Sequence, residues 1–284
     1  MASARGNTIG LDVAPIVVAS HPRSGTHLVI DTLRRQFAEC RSWKLPGEPH
    51  DRLYLDLDAL TRVDGAMPTT TARRILGRAR RPLLKTHCLP GFRAWTATAA
   101  QRDLAVEWAQ WLDARATVLY VHRDGRDVMC SYHLLLKSVS EAARCPVGEF
   151  MRQQANGTSR ARAWAEHVRR WLEQPQVHVL RFDDLTKDTR RVLTTLGSLV
   201  GATPLYREPL LPPQFRSVWE SRRARLLSVH PDSTAILSKY RHGALERWRD
   251  AFTPADREFF HAEAGEMLIR LGYETSDAWV RSGR

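Results

Sequence analysis

The sequence predicts a single α/β domain in which helices flank a parallel β-sheet. Short, almost continuously apolar strands alternate with stretches of helical period, which is typical of a parallel sheet covered on both faces. The chain has 284 residues, of which 43% are hydrophobic, and this suits one large domain or two small ones. It shows no internal repeat and no low-complexity segment. We predict an N-terminal extension at 1–13, the domain at 14–275 and a tail at 276–284.

The strands and helices are predicted from local patterns in chain order. We expect strands at 14–20, 82–87, 116–122 and 177–182. Residues at helical spacing follow the first, third and fourth strands, and the helix after the fourth ends near Gly201. We expect the last helix to begin at Thr253–Pro254, since proline is favoured at a first helical position and Asp256, three residues after Thr253, resembles a capping box.

Three segments show weaker patterns: 41–80, 138–159 and 203–240. Long insertions in compact domains are often functional. We therefore expect these segments to act as lids or acceptor-binding elements.

The charge of the chain favours an anionic partner. Lys plus Arg number 43 against 31 Asp plus Glu, a net charge of +12. Nucleic acid, an anionic surface and a phosphorylated small molecule all satisfy this charge, as does an arginine-rich coding bias. The arginines are scattered and form no basic tail, which argues against a nucleic-acid-binding arm.

The chain carries no pattern typical of a membrane or secreted protein. No apolar run approaches the roughly 18–20 residues of a membrane span, and the N-terminus has no apolar signal region. The four cysteines, Cys40, Cys88, Cys130 and Cys145, form neither a C-x-x-C pair nor a zinc-ligand pattern. We expect reduced thiols in a cytoplasmic protein.

The strongest local motif is SHPRSGTHL at residues 20–28, between the first strand and the first helix. In open α/β sheets ligands bind at the carboxyl ends of strands, and a helix N-terminus offers free N–H groups to an anion. Arg23 adds charge, while Ser24 and Thr26 add hydroxyls. The loop is not a Walker A motif, because it has one glycine and no Gly-Lys pair. A plain strand-to-helix turn capped by Ser24 is the structural alternative.

Lys85-Thr86-His87 ends the second predicted strand and faces the same crevice. A histidine with an ordinary pKa near 6.5 suits a general base, and Lys85 suits neutralising charge on a transferring group. A single histidine at a strand end is more often structural.

The sequence RDGRDVMCSY at 123–132 follows the third strand. Arg123 suits a bidentate contact with phosphate, and Ser131 lies about two helical turns further on. The alternative is a helix N-terminus with acidic residues that favour the macrodipole. A fourth motif, at 239–253, has Arg241 and Gly243 placed to bind an anion; an ordinary loop is the alternative there.

Taken together, the order of these four motifs resembles the sulfotransferases that use 3′-phosphoadenosine 5′-phosphosulfate (PAPS). PRSGTHL matches the family's 5′-phosphosulfate loop, and Lys85-Thr86-His87 matches its K-T/S-H motif. Residues 123–132 match the 3′-phosphate motif, and 241–253 resemble the C-terminal R-K-G-x-x-G pattern. The resemblance extends from residue 14 to about 272.

The resemblance implies a P-loop-like sulfotransferase fold and a role for each matching residue. His87 takes the acceptor's proton, with Lys85 and Arg23 offsetting charge on the sulfuryl and bridging oxygens. The 5′-phosphosulfate is held by Arg23, Ser24, Gly25, Thr26 and His27. The 3′-phosphate is held by Arg123, Ser131, Arg241, His242 and Gly243. Phe182 takes the place of an adenine-site tyrosine, and Trp219 stacks on adenine, with Phe215 as its rival.

Several positions depart from the family pattern. Arg23 replaces a common lysine and cannot donate a proton near neutral pH. Leu28, a predicted cofactor-binding residue, occupies the position where many members have an adenine-stacking tryptophan. The adenine pocket of this chain should therefore differ from theirs. Pro254 falls within the family's dimer motif and removes an N–H, which leaves the oligomeric state open.

We therefore expect sulfuryl transfer from PAPS to a hydroxyl or amine of a small-molecule acceptor, with no metal and no nucleic acid. A phenol, a sterol, a sugar and a natural-product alcohol all remain open as acceptors. One rival is a P-loop kinase, which predicts a Gly-Lys-Ser/Thr loop that this chain lacks. The other rival is a non-catalytic nucleotide- or nucleic-acid-binding protein, which need not place His87 beside the sulfate.

Overall fold

A five-stranded parallel sheet forms the centre of the protein in the computed structural model, which describes residues 14–45, 47–60, 67–91, 102–155, 157–206 and 246–281. Its strands are β1 (Ile16–Ser20), β2 (Leu55–Asp56), β3 (Leu83–Thr86), β4 (Thr117–His122) and β7 (Val177–Arg181). Their order is β2-β3-β1-β4-β7. A small antiparallel pair, β5 (Gln154–Ala155) and β6 (Thr158–Ser159), lies outside this sheet.

β1 is the central strand, and its register aligns the ends of its neighbours. Ala19 pairs with Thr86 of β3 on one side, and Ser20 pairs with Val121 of β4 on the other. The chain leaves β1, β3 and β4 at the same edge of the sheet. The first three predicted motifs follow these strands, so they meet at the point where parallel sheets bind ligands.

The helices cover both faces of the sheet. Alternate residues of β1 enter different clusters: Val18 packs on the side of the first helix, and Val17 packs on the opposite side. This pattern confirms the predicted parallel sheet buried on both faces. The described helices are α1 (Thr26–Gln36), α2 (Thr69–Leu76), α3 (Arg102–Arg115), α4 (Gly125–Lys137), α5 (Val147–Arg152), α6 (Arg160–Leu172), α7 (Phe182–Lys187), α8 (Thr189–Val200), α9 (Trp248–Ala251), α10 (Pro254–Arg270) and α11 (Ala278–Arg281).

The predicted strands are confirmed to within two residues at either end. Phe182 begins α7 instead of ending β7. Gly201 follows α8 with a left-handed φ of 71°, and Thr253 caps α10 in a capping box with Asp256. No helix among the described residues is long and apolar enough to cross a membrane.

The weaker segments turn out to contain regular structure. The segment 41–80 contributes β2 to the sheet edge and α2 to one of its faces. The segment 138–159 holds α5 and the β5–β6 pair. Most of 203–240 lies outside the described residues. The sequence reading gave no helix at α6, although Ala161, Trp164, Val168 and Trp171 are buried at helical spacing.

One buried arginine holds the C-terminal helices against α4. Arg126 is 2% exposed and lies between two indole rings, 3.8 Å from the centroid of Trp248 and 4.5 Å from that of Trp279. Its guanidinium donates to Asp124 at 2.7 Å and to Glu274 at 2.6 Å. Trp279 lies in the segment predicted as a tail, but it is 4% exposed and belongs to the core.

Replacing Arg126 with methionine leaves two partly buried carboxylates without their cation. We expect the free energy of unfolding to fall by about 3–5 kcal/mol, as it does when one partner of a buried ion pair is removed. Urea unfolding followed by tryptophan fluorescence measures this change. Arg191→Met is the matched control, because Arg191 pairs with Asp184 and Asp188 but is 62% exposed. Equal losses in the two variants would contradict the proposed importance of burial.

Candidate active site

The loop between β1 and α1 has the geometry of an anion site. Arg23 and Gly25 both have left-handed backbone conformations, with φ of 72° and 111°. The Ser24 N–H donates to the His21 carbonyl at 3.2 Å and closes the turn. No described side chain caps α1, and its first turn has no acidic residue. The first N–H groups of the helix therefore remain available to an anion.

Gly25 lies against a ring from another part of the chain. A Cβ atom built on Gly25 would come within 2.5 Å of Phe182 Cδ2. Phe182 is fully buried, and the Arg123 guanidinium lies 4.5 Å from its ring centroid. The position thus requires glycine because of its φ and this contact, in addition to any space that a phosphate needs.

Ser24 and its neighbours line the inner side of the loop. The Ser24 hydroxyl is buried and has no hydrogen-bond partner among the residues that the structure describes, so it can donate to a bound anion. The Thr26 and Ser20 hydroxyl oxygens lie 2.5 Å apart. His27 Nε2 lies 3.1 Å from the Tyr54 hydroxyl. Leu28 is buried in the core, so a contact with a ligand there involves its backbone.

The loop is tied to α4 by a side-chain hydrogen bond. Arg23 Nε donates to the Ser131 hydroxyl at 3.1 Å, which brings residues of the first and third motifs together. Arg123 lies 4.0 Å from Asp127 at the start of the same helix. Asp127 accepts a hydrogen bond from the Glu246 N–H at 2.8 Å, and burial raises the pKa of its carboxyl. The predicted site residues Trp219, Arg241, His242 and Gly243, and the rival Phe215, lie outside the described residues.

His87 stands at the end of β3, next to the end of β1. Its Nδ1 lies 2.8 Å from the Ser20 carbonyl oxygen, which can only accept a hydrogen bond. The proton of the neutral ring is therefore on Nδ1, and the lone pair is on Nε2. Burial, followed by the charge of Lys85, lowers the pKa of His87. The ring is consequently neutral at pH 7.

Asp58 holds the turn that carries His87. Its carboxylate accepts hydrogen bonds from the Thr86 hydroxyl at 2.7 Å and the His87 N–H at 2.8 Å. The Cys88 thiol donates to the same carboxylate at 3.3 Å. No pattern in the sequence indicates this role, because Asp58 lies 29 residues before His87 in a segment of weak pattern.

Lys85 is already paired with a carboxylate. Its Nζ donates to Asp56 Oδ2 at 2.8 Å, across the β2–β3 edge of the sheet. This ion pair partly neutralises the charge that Lys85 could offer to a transferring group. The predicted role of Lys85 in offsetting charge on that group stays a prediction.

Helix α6 braces the His87 turn from the other side. His167 Nε2 donates to the His87 carbonyl at 3.1 Å, and Trp171 Nε1 donates to the Cys88 carbonyl at 3.0 Å. Because Nε2 of His167 carries the proton, its Nδ1 accepts from the Tyr120 hydroxyl at 3.0 Å. The sequence reading missed all three residues. The helical spacing of the apolar side chains in α6 was the available signal.

A cavity of about 640 Å³ opens between α6 and the ends of β1 and β3. This size is within the usual range for a small-molecule site. It is lined by His21, Pro22, His87, Cys88, Leu89, Tyr132, Ala155, Thr158, Arg160, Ala163, Glu166, His167 and Arg170. Ala155 and Thr158 come from the segment 138–159, which was predicted to bind the acceptor.

The two other histidines of this cavity are also neutral. Burial, followed by the charge of His167, lowers the pKa of His21 to about 3. Burial likewise lowers the pKa of His167 to about 4. Within the described parts of the chain, no group of three or more His, Cys, Asp or Glu side chains is arranged to hold a metal ion. The expectation that the reaction needs no metal stays a prediction.

The family model of the sulfotransferase domain matches residues 14–272. The chain belongs to this family. The resemblance that the four motifs indicate is therefore confirmed, and so is the predicted fold of a parallel sheet flanked by helices.

Two curated relatives show how far the similarity extends. The 3-alpha-hydroxysteroid sulfotransferase of Cavia porcellus is 27% identical over 158 residues, which are 53% of this chain and 55% of that protein. The match thus spans about half of that relative. Sulfotransferase 1A1 of Bos taurus is 24% identical over 263 residues, which are 89% of this chain and 83% of that protein.

A solved structure supports the fold. The structure of mouse sulfotransferase SULT7A1 complexed with PAP matches with a TM-score of 0.53 at 16% identity. The match covers 90% of this chain and 84% of that one. At this level of identity the likeness concerns the fold alone.

The neutral buried histidines make the stability of this sulfotransferase depend on pH. In the unfolded chain, His21 and His167 bind protons near pH 6.5, whereas the folded chain keeps them neutral down to about 3 and 4. The unfolded state therefore binds more protons between about pH 4 and 6.5. We expect the free energy of unfolding to fall with decreasing pH in this range, by up to about 1.4 kcal/mol per pH unit for each histidine.

Urea unfolding between pH 5 and 6 measures this slope. His167→Gln should reduce the slope by one histidine's share, whatever its effect on stability at pH 7. His178→Gln replaces an exposed residue of β7 and is the control. It should change neither the slope nor the free energy of unfolding at pH 7. An unchanged slope in His167→Gln would contradict the prediction.

Proposed function

We propose that this protein transfers a sulfuryl group from PAPS to a hydroxyl or amine of a small-molecule acceptor, with His87 as the general base. The observation that carries this proposal is the hydrogen bond from His87 Nδ1 to the Ser20 carbonyl. It leaves Nε2 as the basic nitrogen of a neutral ring. His87 lies both beside the β1–α1 loop and in the wall of the 640 Å³ cavity.

The β1–α1 loop fits the phosphosulfate end of PAPS. It offers the N–H groups at the start of α1, the guanidinium of Arg23 and the buried hydroxyl of Ser24, which has no partner in the described parts of the chain. The solved mouse relative was crystallised with PAP, the 3′,5′-bisphosphate product of such a transfer. We assign the 5′ side to Arg23, Ser24, Gly25, Thr26 and His27, with the backbone of Leu28.

The start of α4 fits the 3′-phosphate. Arg123 is buried just before the N-cap residue of this helix, and Ser131 lies about two turns further on. Phe182 contacts both Arg123, beside the proposed 3′-phosphate site, and Gly25 of the β1–α1 loop. We therefore assign Phe182 to the nucleotide pocket. We expect Arg241, His242 and Gly243 to complete the 3′ site and Trp219 to contact adenine.

The chemistry that PAPS supplies is a sulfuryl group joined to a phosphate leaving group. The acceptor would occupy the cavity with its hydroxyl towards His87 Nε2, which would take the proton as the oxygen attacks sulfur in line. The bond between sulfur and the 5′-phosphate oxygen would break, and PAP would leave. Arg23 offsets the charge on the bridging oxygen and sulfuryl oxygens. Lys85 contributes through its ion pair with Asp56, which holds the end of β3. We also propose a cytoplasmic location, which the four free thiols support.

An acceptor screen with labelled PAPS tests the proposed function. We expect a mass increase of one sulfuryl group in at least one hydroxylated acceptor. His87→Ala should lower kcat by about 10²–10⁴-fold while leaving the affinity for PAP nearly unchanged, because the base acts only as the proton leaves. His178→Gln serves as the control with an unaltered site.

Three results would reject this assignment. Near-normal turnover by His87→Ala would exclude His87 as the base. Tight PAPS binding with no sulfated acceptor would favour the binding-protein rival. Phosphoryl transfer from ATP and magnesium would favour the kinase rival.

The 3′-phosphate assignment predicts a preference between nucleotides. We expect PAP to bind at least about tenfold more tightly than AMP, since a charge-assisted hydrogen bond contributes about 1.5–3 kcal/mol. Arg123→Gln should remove most of this difference. The affinity for AMP, measured by calorimetry on the same variant, reports whether the 5′ site is intact. Equal affinity of the native chain for PAP and AMP would refute the assignment of Arg123.

A further inference from the structure

We propose that the cavity beside His87 binds an acceptor that carries an anionic group, such as a carboxylate, and that the guanidinium of Arg160 binds this group. The inference rests on the proposed function for its meaning, since it specifies the class of acceptor. The site itself is argued from the side chains of α6.

The four arginines of α6 divide into two kinds. Arg162 pairs with Glu263 at 2.9 Å, and Arg169 pairs with Glu166 and Glu173 at 2.6 and 2.7 Å. Arg160 and Arg170 line the cavity, and neither forms an ion pair with any acid in the described parts of the chain. The arginines on the outer side of the helix thus pair with acids, whereas those that face the cavity have no acidic partner among the described residues.

Arg160 is held in place without being neutralised. Its guanidinium lies 4.5 Å from the ring centroid of Phe150 and 5.7 Å from that of Tyr132. Its Nε atom is buried and has no hydrogen-bond partner among the described residues. Stacking on two rings orients the planar donor group, and an unsatisfied buried donor costs stability unless a ligand satisfies it. A carboxylate matches such a guanidinium with two parallel hydrogen bonds.

The remaining wall of the cavity does not cancel this charge. Glu166 is the one acid among the described lining residues, and Arg169 already pairs with it. The three histidines are neutral because burial lowers the pKa of each ring. The cavity therefore presents Arg160, and Arg170 at its exposed end, as net positive charge.

The other lining residues indicate the polarity of the part of the acceptor that lies between its hydroxyl and its acid group. Pro22, Leu89, Tyr132 and Ala163 add apolar surface to the wall that also holds His87 and the two arginines. Arg160 and Arg170 are separated by ten residues, or about 15 Å along the helix axis. A hydroxylated aromatic or alicyclic acid fits this arrangement, with its hydroxyl at His87 and its acid group at Arg160.

The test compares acids with their neutral amides. A panel of hydroxylated aromatic and alicyclic carboxylic acids, including 3-(4-hydroxyphenyl)propionate, is titrated into the full chain saturated with PAP, and each primary amide is titrated in parallel. We expect at least one acid to bind about tenfold or more tightly than its amide. Arg160→Gln should abolish this preference, and Arg160→Lys should retain part of it.

Arg162→Gln is the matched control, because it removes an arginine from the same helix outside the cavity; it should leave the preference unchanged. No binding by any acid, or no preference for acid over amide, would overturn the proposal. So would a preference that survives in Arg160→Gln. If PAP itself fails to bind, the proposed function fails at the nucleotide site, and the same comparison without PAP still decides the role of Arg160.

Discussion

The hydrogen bond between the His87 ring and the Ser20 carbonyl joins the ends of two neighbouring strands, and the arrangement of the site depends on it. The parallel register of β1 and β3 pairs Ala19 with Thr86, so the next residue of each strand lies side by side. Ser20 also contacts Thr26 at the first turn of α1. One strand end thus positions both the base and the anion-binding helix, because Ser20 contacts His87 through its carbonyl and Thr26 through its hydroxyl.

Three side chains hold the backbone groups of the turn at His87. Strands end in backbone groups that have no partner in the sheet, and such groups must be satisfied when they are buried. Asp58 accepts from the N–H side of the turn, while His167 and Trp171 of α6 donate to its carbonyls. The same packing removes water from the ring and lowers the pKa of His87. The base is consequently deprotonated over the whole neutral range, at the cost of some basicity.

The arginines of this fold have two different roles: some stabilise the packing, and others face a site where a ligand can bind. Arg126 is enclosed by two indole rings and two carboxylates, and it stabilises the packing of the C-terminal helices. Arg160 is likewise stacked on aromatic rings, but it faces a cavity instead of an acid. Arg123 is intermediate, since it covers Phe182 and approaches Asp127 at the helix start. Whether a guanidinium stabilises the fold or is available to a ligand follows from the presence of a carboxylate beside it.

The amino-acid sequence alone determined four of the five strands of the main sheet, the meeting of the first three motifs at one crevice, and the family. These features are local: apolar runs form strands, and glycine or proline ends them at positions that the chain itself marks. The tertiary structure decided the roles of Asp58, His167 and Arg160. Asp58 and His87 are 29 residues apart, and His167 is 80 residues from His87, so no spacing in the sequence relates them. The arginines of α6 look alike in the sequence. The structure distinguishes those that lie beside an acid from those that face the cavity, because ion pairing depends on distance in space.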